Sequence, residues 1–165
     1  MIICACDPDC RTPAFALFDG TRLMKWKLLD TGRTGHIDRV LPDIQAIIDA
    51  WRPGLLVIEN QYLPTGPEAA KRFKPVSQLV AARGMITAIF AISNIEYRLI
   101  EPFAWQKTLG GAGLGRDQLK RRSILKATDI AGALIEDHNV ADAINIGYFY
   151  ATRNRLTRKA SECVR

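Results

Sequence analysis

Three acidic residues far apart in the sequence could together carry out metal-dependent chemistry on a phosphate ester. Asp7 follows the apolar segment IICAC, Glu59 follows LLVI, and Asp142 lies within VADAINIG. Hard divalent cations such as Mg²⁺ take oxygen ligands, and two ions about 3.5–4 Å apart stabilise both the attacking and the leaving oxygen of an in-line phosphoryl displacement. Each acid alone also fits an ordinary role, as a turn residue before Pro8, a strand end, or a helix start favoured by the dipole. The hypothesis therefore depends on whether the fold brings them together.

The hydrophobic pattern predicts strands and helices in a definite order. Strands at 1–6, 13–18 and 21–29 have short connections, including the turn Asp19-Gly20, and should pair antiparallel. A helix at 36–51 and a continuously apolar strand at 54–59 follow. The remaining elements are a helix at 76–92, a strand at 97–100, a short helix at 103–109, a mobile glycine loop at 110–115, a basic helix at 117–130 and a last helix at 139–152.

Helical crossovers before the fourth and fifth strands imply parallel pairing for both. The pattern therefore predicts an α/β protein with one mixed five-stranded sheet and helices on both faces, which is the ribonuclease H-like layout. In that layout the first and fourth strands are neighbours, and their carboxyl ends lie at one edge of the sheet. The last helix can begin at the same edge, so Asp7, Glu59 and Asp142 should converge there.

Composition and charge restrict the class of protein. The chain has 165 residues, 48% hydrophobic and 24% charged, which is typical of one globular domain. Its net charge of +6 favours an anionic partner, most commonly nucleic acid. No apolar run approaches the roughly 20 residues of a membrane span, and the N-terminus lacks a signal-peptide pattern, so no membrane association is expected. The cysteines (Cys4, Cys6, Cys10 and Cys163) form no CxxC pair and should be reduced thiols rather than zinc ligands.

Several segments taken together resemble the RuvC-like Holliday-junction resolvases, particularly the compact phage-type members. CDPDCRTPAFALFDG is similar to their first motif and LLVIENQYL to their second, a glutamate followed by an amide and an aromatic residue. SQLVAARGMITAIF is similar to their dimer-forming helix, PFAWQKTLGG and GRDQLKRRSILK to their DNA-contacting segment, and VADAINIGYFYA to their final helix. The resemblance extends from Met1 to about Ala151. It implies a nuclease domain over residues 1–152 and a basic tail over 153–165.

The resemblance implies a homodimer that binds four-way DNA junctions and cuts two strands symmetrically, in the cytoplasm of a bacterial or phage-infected cell. It assigns Asp7, Glu59 and Asp142 as ligands of two Mg²⁺ ions, for which Mn²⁺ should substitute. The dimer would form through the helix that starts at Val76 and ends at Ile92. In that helix Ala81, Ala82 and Gly84 would permit close packing across a two-fold axis, although they would equally suit packing on the sheet.

The sequence departs from the family pattern at the fourth metal ligand. Family members carry Asp or His about one helical turn before the last aspartate, where this chain has the uncharged Asn139. His138 is the favoured alternative, and imidazole would also suit activation of the attacking water because it ordinarily titrates near neutral pH. Asp137 is next, although it would equally serve as a helix cap. Asp9, near Asp7, is interpreted as a turn residue.

Basic and aromatic residues are the predicted DNA contacts. The resemblance places Lys107 near the scissile phosphate, where a cation would stabilise developing charge; a solvated lysine is the alternative. Tyr62 would stack on an unpaired base, unless it belongs to a turn or the core. The remaining candidates are basic residues that would contact phosphates, namely Lys71, Arg72, Lys74, Arg116, Lys120, Arg121, Arg122 and Lys126.

The function predicted from these observations is Mg²⁺-dependent, structure-selective endonuclease activity on four-way junctions. A ribonuclease H acting on RNA–DNA hybrids would have the same fold and is one alternative. A non-catalytic junction-binding protein is the other, supported by the missing carboxylate at Asn139.

Overall fold

The structure, a computed structural model, describes residues 1–32, 36–62, 69–110 and 114–162, with side chains for all of these except 69–73, 75 and 155–162. The strands are β1 Ile2–Asp7, β2 Ala14–Asp19, β3 Arg22–Leu28, β4 Leu55–Glu59 and β5 Glu96–Ile100. The α-helices are α1 Leu41–Trp51, α2 Ala69–Ile92, α3 Pro102–Gln106, α4 Arg116–Ala131 and α5 His138–Glu162. Short 3-10 turns precede α1 at Ile37–Val40 and follow α3 at Lys107–Leu109.

The five strands form one mixed sheet in the order β3-β2-β1-β4-β5. β1 pairs antiparallel with β2, which pairs antiparallel with β3, whereas β4 lies parallel to both β1 and β5. This topology confirms the sequence prediction. In the parallel ladder Ala5 lies opposite Val57 and Cys6 opposite Ile58, so the next position on each strand, Asp7 and Glu59, falls at the same edge.

Successive side chains of the central strands point to opposite faces of the sheet. Because both sets are apolar, there is one apolar core on each face. Ile3, Ala5 and Val57 belong to the core that contains the buried face of α5. Cys4 and Cys6 belong to the opposite core, beneath α1 and α2, as buried free thiols. Side chains two positions apart on a strand lie on the same face of the sheet. Asp7 therefore lies on the same face as Ala5, and Glu59 on the same face as Val57, which is the face covered by α5.

Gly147 allows α5 to approach the sheet closely. A methyl group at this position would lie 2.7 Å from Phe18 Cδ2 and 2.9 Å from Ala5 Cβ, closer than carbon atoms pack. Ala143 and Ile144, on the same stretch of α5, are fully buried. The start of α5 is therefore held directly over the edge where β1 and β4 end.

The largest differences from the predicted helix boundaries are at the start of α2 and the end of α5. α2 begins at Ala69 rather than 76, so Pro75 lies inside the helix instead of near its start. Proline is favoured in a first helical turn, which is why the pattern suggested a later start. α5 continues to Glu162 rather than ending at 152. The glycine loop predicted at 110–115 lies partly outside the described residues, since 111–113 are not among them.

No helix within the described ranges combines the length and apolar character required to cross a membrane.

Candidate active site

The three predicted acids converge at one edge of the sheet. Burial raises the pKa of Asp7 well above its usual range, and the negative charges of Glu59 and Asp142 raise it further. Asp9 and Asp137 add smaller contributions in the same direction. The carboxyl group of Asp7 therefore lies in a poorly solvated place, close enough to the other two acids for their charges to act on it.

Glu59 is the most enclosed of the three and is oriented by two neutral donors. Its side chain is 9% exposed. Trp105 Nε1 donates to Oε1 at 2.8 Å, and Gln61 Nε2 donates to Oε2 at 2.7 Å. Burial raises the pKa of Glu59 to about 7, assisted by the charge of Asp142, while the hydrogen bonds from Trp105 and Gln61 oppose the rise. The carboxyl group is therefore held in place but is costly to ionise without a cation.

Asp142 is oriented from the basic helix α4. Ser123 Oγ donates to Asp142 Oδ1, and Asn145 Nδ2 donates to Ser123 Oγ at 2.9 Å. Burial raises the pKa of Asp142 to about 6, whereas the Ser123 hydrogen bond and the charges of His138 and Lys120 lower it. The fully buried Ser123 and Asn145 thus form a directed chain of hydrogen bonds that ends on the carboxylate.

The side chains at this site are of the type that binds a hard divalent cation. Carboxylate oxygens dominate the cluster, as Mg²⁺ and Mn²⁺ prefer, and burial followed by nearby negative charge raises the pKa of each of the three acids. No three His, Cys, Asp or Glu side chains among the described residues already surround a single position. In this arrangement Glu59 and Asp142 instead accept hydrogen bonds from neutral groups.

The three candidates for a fourth ligand have different surroundings. Asp137 Oδ1 accepts from the backbone N–H groups of Asn139 at 2.9 Å and Val140 at 3.0 Å, so Asp137 caps α5. The buried Asn139 donates Nδ2 to Thr12 Oγ1 at 2.7 Å and is committed to the β1–β2 connection. His138 lines the cleft beside Asp142, and its charge lowers the pKa of that residue.

Asp9 has the predicted turn role. Its Oδ1 accepts from the backbone N–H groups of Arg11 at 2.7 Å and Thr12 at 2.9 Å. Because Thr12 also accepts from Asn139, this turn links the end of β1 to the start of α5. Asp9 additionally contributes negative charge near Asp7.

A cleft of about 210 Å³ opens beside the acidic cluster. Residues that line it include Asp9, Arg116, Lys120, His138, Asn139 and Asp142. Lys120, one helical turn before Ser123, lowers the pKa of Asp142 through its positive charge, as His138 does. The cleft thus combines Asp9, from the connection after β1, and Asp142 of α5 with bases from α4.

The other predicted basic contacts lie in different environments. Lys107 is exposed, with Nζ 5.3 Å from the centroid of the Phe103 ring, and does not line the cleft. Arg122 Nη1 donates to Leu109 O at 2.9 Å, and Lys126 Nζ donates to Thr108 Oγ1 at 2.7 Å. Arg122 and Lys126 therefore attach α4 to the turn after α3.

Arg116 and Arg121 on α4 and Lys74 on α2 are exposed and available for an anionic partner. Lys71 and Arg72 belong to the first part of α2, but their side chains lie outside those that the structure describes.

Tyr62 is exposed, which excludes the core alternative. Its side chain is 59% exposed, and its hydroxyl donates to Glu101 Oε1. Asn60 Nδ2 donates to the same oxygen at 3.0 Å. Hydrogen bonds from Tyr62 and Asn60 lower the pKa of Glu101, while the bond to Glu101 raises the pKa of Tyr62. The ring is thus presented to solvent at the edge where β4 and β5 end.

Sequence reasoning missed the residues that orient the acids. Trp105 and Ser123 each carry a hydrogen-bond donor, and the helical pattern places both residues on buried faces. A buried donor needs an acceptor, so this pattern could have suggested buried hydrogen bonds. Arg83, which contacts the segment after Glu59, carries no such local signal.

Comparison with solved structures identifies the fold class. The chain matches Thermus thermophilus RuvC in complex with a Holliday junction substrate at a TM-score of 0.69 and 15% identity, over 94% of this chain and 96% of that one. The fowlpox virus resolvase, in complex with substrate Holliday junction DNA, matches at a TM-score of 0.59 and 20% identity, over 93% and 98%. The yeast mitochondrial Holliday junction resolvase matches at 0.50 and 11%, over 99% and 86%.

The protein therefore has a ribonuclease H-like fold. Within that class its fold is the one shared by RuvC and the fowlpox virus resolvase, as the resemblance implied. No protein-family model matches the sequence, and no curated protein sequence matches it.

Proposed function

We propose that the protein is a divalent-metal-dependent endonuclease that resolves four-way DNA junctions. The observation that carries the proposal is the convergence of Asp7, Glu59 and Asp142, from β1, β4 and α5, beside a cleft lined by bases of α4. Structures with the same fold are named as Holliday junction resolvases, and two of them hold junction DNA.

The acids would hold Mg²⁺ or Mn²⁺, with His138 as the preferred additional ligand. When bound, two such ions activate water and stabilise both oxygens of an in-line displacement. The chain's own contribution is to orient the ligands, since Trp105, Gln61 and Ser123 each donate to a carboxylate oxygen. Each of these carboxylate oxygens retains a lone pair for a cation.

The basic face would position DNA. Lys120 and Arg116 line the cleft, where they would contact phosphate near the acids, and Arg121 extends the positive surface along α4. Phosphate contacts of this kind position a duplex without reading its sequence. Tyr62, exposed and held by Glu101, would stack on a base opened at the junction centre.

A homodimer would place two active sites on a two-fold symmetric junction. α2 has an exposed stripe of apolar and small residues at helical spacing, namely Ala81, Gly84, Met85, Ala88 and Ile92. Ile92 is 82% exposed, and a methyl group at Gly84 would meet no atom within 4 Å. Ala82, predicted as part of this contact, is instead fully buried in the core between α2 and the sheet and cannot face a partner.

The test is cleavage of a synthetic four-way junction with Mg²⁺, comparing wild type with Glu59→Gln. We expect the variant to lose at least about a hundredfold in rate, because the charge stabilisation at such a site is worth several kcal/mol. Asp19→Asn is the matched control, since Asp19 is paired with Ile2 at the opposite end of the strands and is exposed. It should cut like wild type.

Four results would refute this function. Two of them are failure of wild type to cut junctions with either ion, and equal cutting by Glu59→Gln. Preferential cleavage of an RNA–DNA hybrid would indicate the ribonuclease H alternative, and junction binding without Mg²⁺ or Mn²⁺ binding would indicate the non-catalytic one.

A further inference from the structure

The segment that follows Glu59 is held by contacts from three different elements. Asn60 N–H donates to Ile100 O at 2.8 Å, which continues the pairing of β4 with β5. Asn60 Nδ2 and the Tyr62 hydroxyl both donate to Glu101. From the other side, Arg83 of α2 reaches the same segment. Residues 60–62 therefore form a bridge between the sheet edge and α2.

Arg83 makes the contacts that fix the conformation of this bridge. Its Nη1 donates to Asn60 Oδ1 and, at 3.1 Å, to Gln61 O. A terminal guanidinium nitrogen such as Nη1 carries two N–H groups, so this one atom can donate to both acceptors. Asn60 is 7% exposed, and its amide is thereby oriented with the oxygen toward Arg83 and the nitrogen toward Glu101.

The contact to Gln61 leads directly to the acidic cluster. The backbone carbonyl of Gln61 accepts from Arg83 while its side chain donates to Glu59 Oε2 at 2.7 Å. If the Gln61 carbonyl turned, its side chain would move with the peptide, and Glu59 would lose one of its two orienting donors. Arg83 itself does not contact Glu59.

We propose that Arg83 is a positioning residue for Glu59, acting through Asn60 and Gln61. This inference rests on the proposed nuclease function. It gives α2 a second role, in orienting Glu59, besides the dimer contact proposed for its exposed apolar stripe. Arg83 lies on the side of α2 that faces the sheet. Through its hydrogen bonds to Asn60 and Gln61, a shift of α2 would change the orientation of Glu59.

The test measures single-turnover cleavage of junction already bound to excess protein. Arg83→Met removes both hydrogen bonds and one positive charge. Arg98→Met is the matched control, because it removes one positive charge from an exposed arginine of β5 that pairs with Glu96 on its own strand. We expect Arg83→Met to cleave about 10–100-fold more slowly, the usual cost of losing a group that orients a metal ligand. Arg98→Met should remain within about twofold of wild type, as expected for a surface substitution.

Two measurements distinguish a role in positioning Glu59 from a role in binding DNA. Junction affinity reports DNA binding, and the cleavage rate constant of the bound junction reports positioning. Affinity without metal should be the same for the two variants, because they carry the same charge. Arg83→Lys keeps the charge and one donor group, so it should cleave faster than Arg83→Met. Thermal unfolding identifies any variant that fails to fold, and in that case Arg83→Lys alone is compared with Arg98→Lys.

A double-mutant cycle tests the route through Gln61. If Arg83 acts through Gln61, then Arg83→Met combined with Gln61→Met should cleave no more slowly than the slower single variant. Multiplicative effects would overturn the proposed route, and equal cleavage by Arg83→Met and Arg98→Met would overturn the role of Arg83 itself. Either result would leave the nuclease function standing, whereas failure of wild type to cut would refute that function instead.

Discussion

Trp105 donates its indole N–H to Glu59 Oε1 at 2.8 Å, joining the helix after β5 to the end of β4 inside the protein. Trp105 is 2% exposed, so this hydrogen bond has no competition from water. A hydrogen bond to a charged group is worth roughly 1.5–3 kcal/mol, a range that applies here to the ionised form of Glu59. The pair therefore both stabilises the sheet edge and sets the direction in which Glu59 faces.

We predict that Trp105→Phe weakens Mn²⁺ binding and slows cleavage by about tenfold or more, because Glu59 loses an orienting donor. Trp26→Phe is the control, since Trp26 is a half-exposed tryptophan on the edge strand β3 and should retain both properties. Isothermal titration with Mn²⁺ measures the first property without requiring activity. Equal Mn²⁺ affinity in the two variants would show that the hydrogen bond has no part in the site.

The stability of the metal-free protein should fall as pH rises from about 4.5 to about 7. Burial raises the pKa of Glu59 from 4.5 to about 7, so between these values the folded state holds a proton that the unfolded state has released. The unfolded state then binds fewer protons, and the free energy of unfolding decreases with pH. Asp142, whose pKa is raised to about 6, acts in the same direction.

Urea unfolding in EDTA across this pH range measures the effect. Glu59→Gln should flatten the dependence because glutamine does not titrate. Added Mg²⁺ should stabilise the protein more at pH 7.5 than at pH 5, since the carboxylates are ionised and available only at the higher pH. A stability that increases steadily toward pH 7.5 in EDTA would contradict the electrostatic description of the site.

The positions of the acids could be predicted because they depend on local pattern and connection rules. Asp7 and Glu59 end strands that the sequence shows clearly, and the layout inferred from the order of strands and helices makes those strands neighbours. The orienting partners could not be predicted in the same way. Whether Trp105 meets Glu59, or Ser123 meets Asp142, depends on the packing angles of α3 and α4, which no local periodicity determines. The predicted start of α2, which relied on Pro75, was wrong for a related reason. Tertiary context overrides the local preference of proline for a helix start.

Ser123→Ala should weaken metal binding by about tenfold and leave junction affinity unchanged. The substitution removes the hydroxyl that donates to Asp142, while Asn145 keeps the carbonyl acceptors of Ser123 and Ala141, each at 2.9 Å. Ser93→Ala is the control, because the Ser93 hydroxyl bonds only within its own helix end, to Ile89 O. Titration with Mn²⁺ and a gel-shift assay in EDTA measure the two affinities, and a loss of junction affinity would instead indicate a general disturbance of α4.

Ala88→Arg should convert the proposed dimer to a monomer. Ala88 lies within the exposed stripe of α2, where a long charged side chain would have to be buried against its symmetry mate. Ala46→Arg, at an exposed alanine of α1, adds the same charge elsewhere. Light scattering after size exclusion gives the mass, and a monomeric wild type or a dimeric Ala88→Arg would contradict this interface.

Two glycines within helices should respond oppositely to the same substitution. Alanine is favoured over glycine in a helix by up to about 1 kcal/mol, a gain common to Gly147→Ala and Gly84→Ala. At Gly147 the added methyl group would overlap Phe18 and approach Ala5 within 2.9 Å, so overpacking should destabilise the protein by about 1–3 kcal/mol. At Gly84 it would meet no atom of the same chain within 4 Å. Urea unfolding of both variants compares them directly, and an equal or greater stability of Gly147→Ala would show that α5 does not lie against the sheet as closely as described.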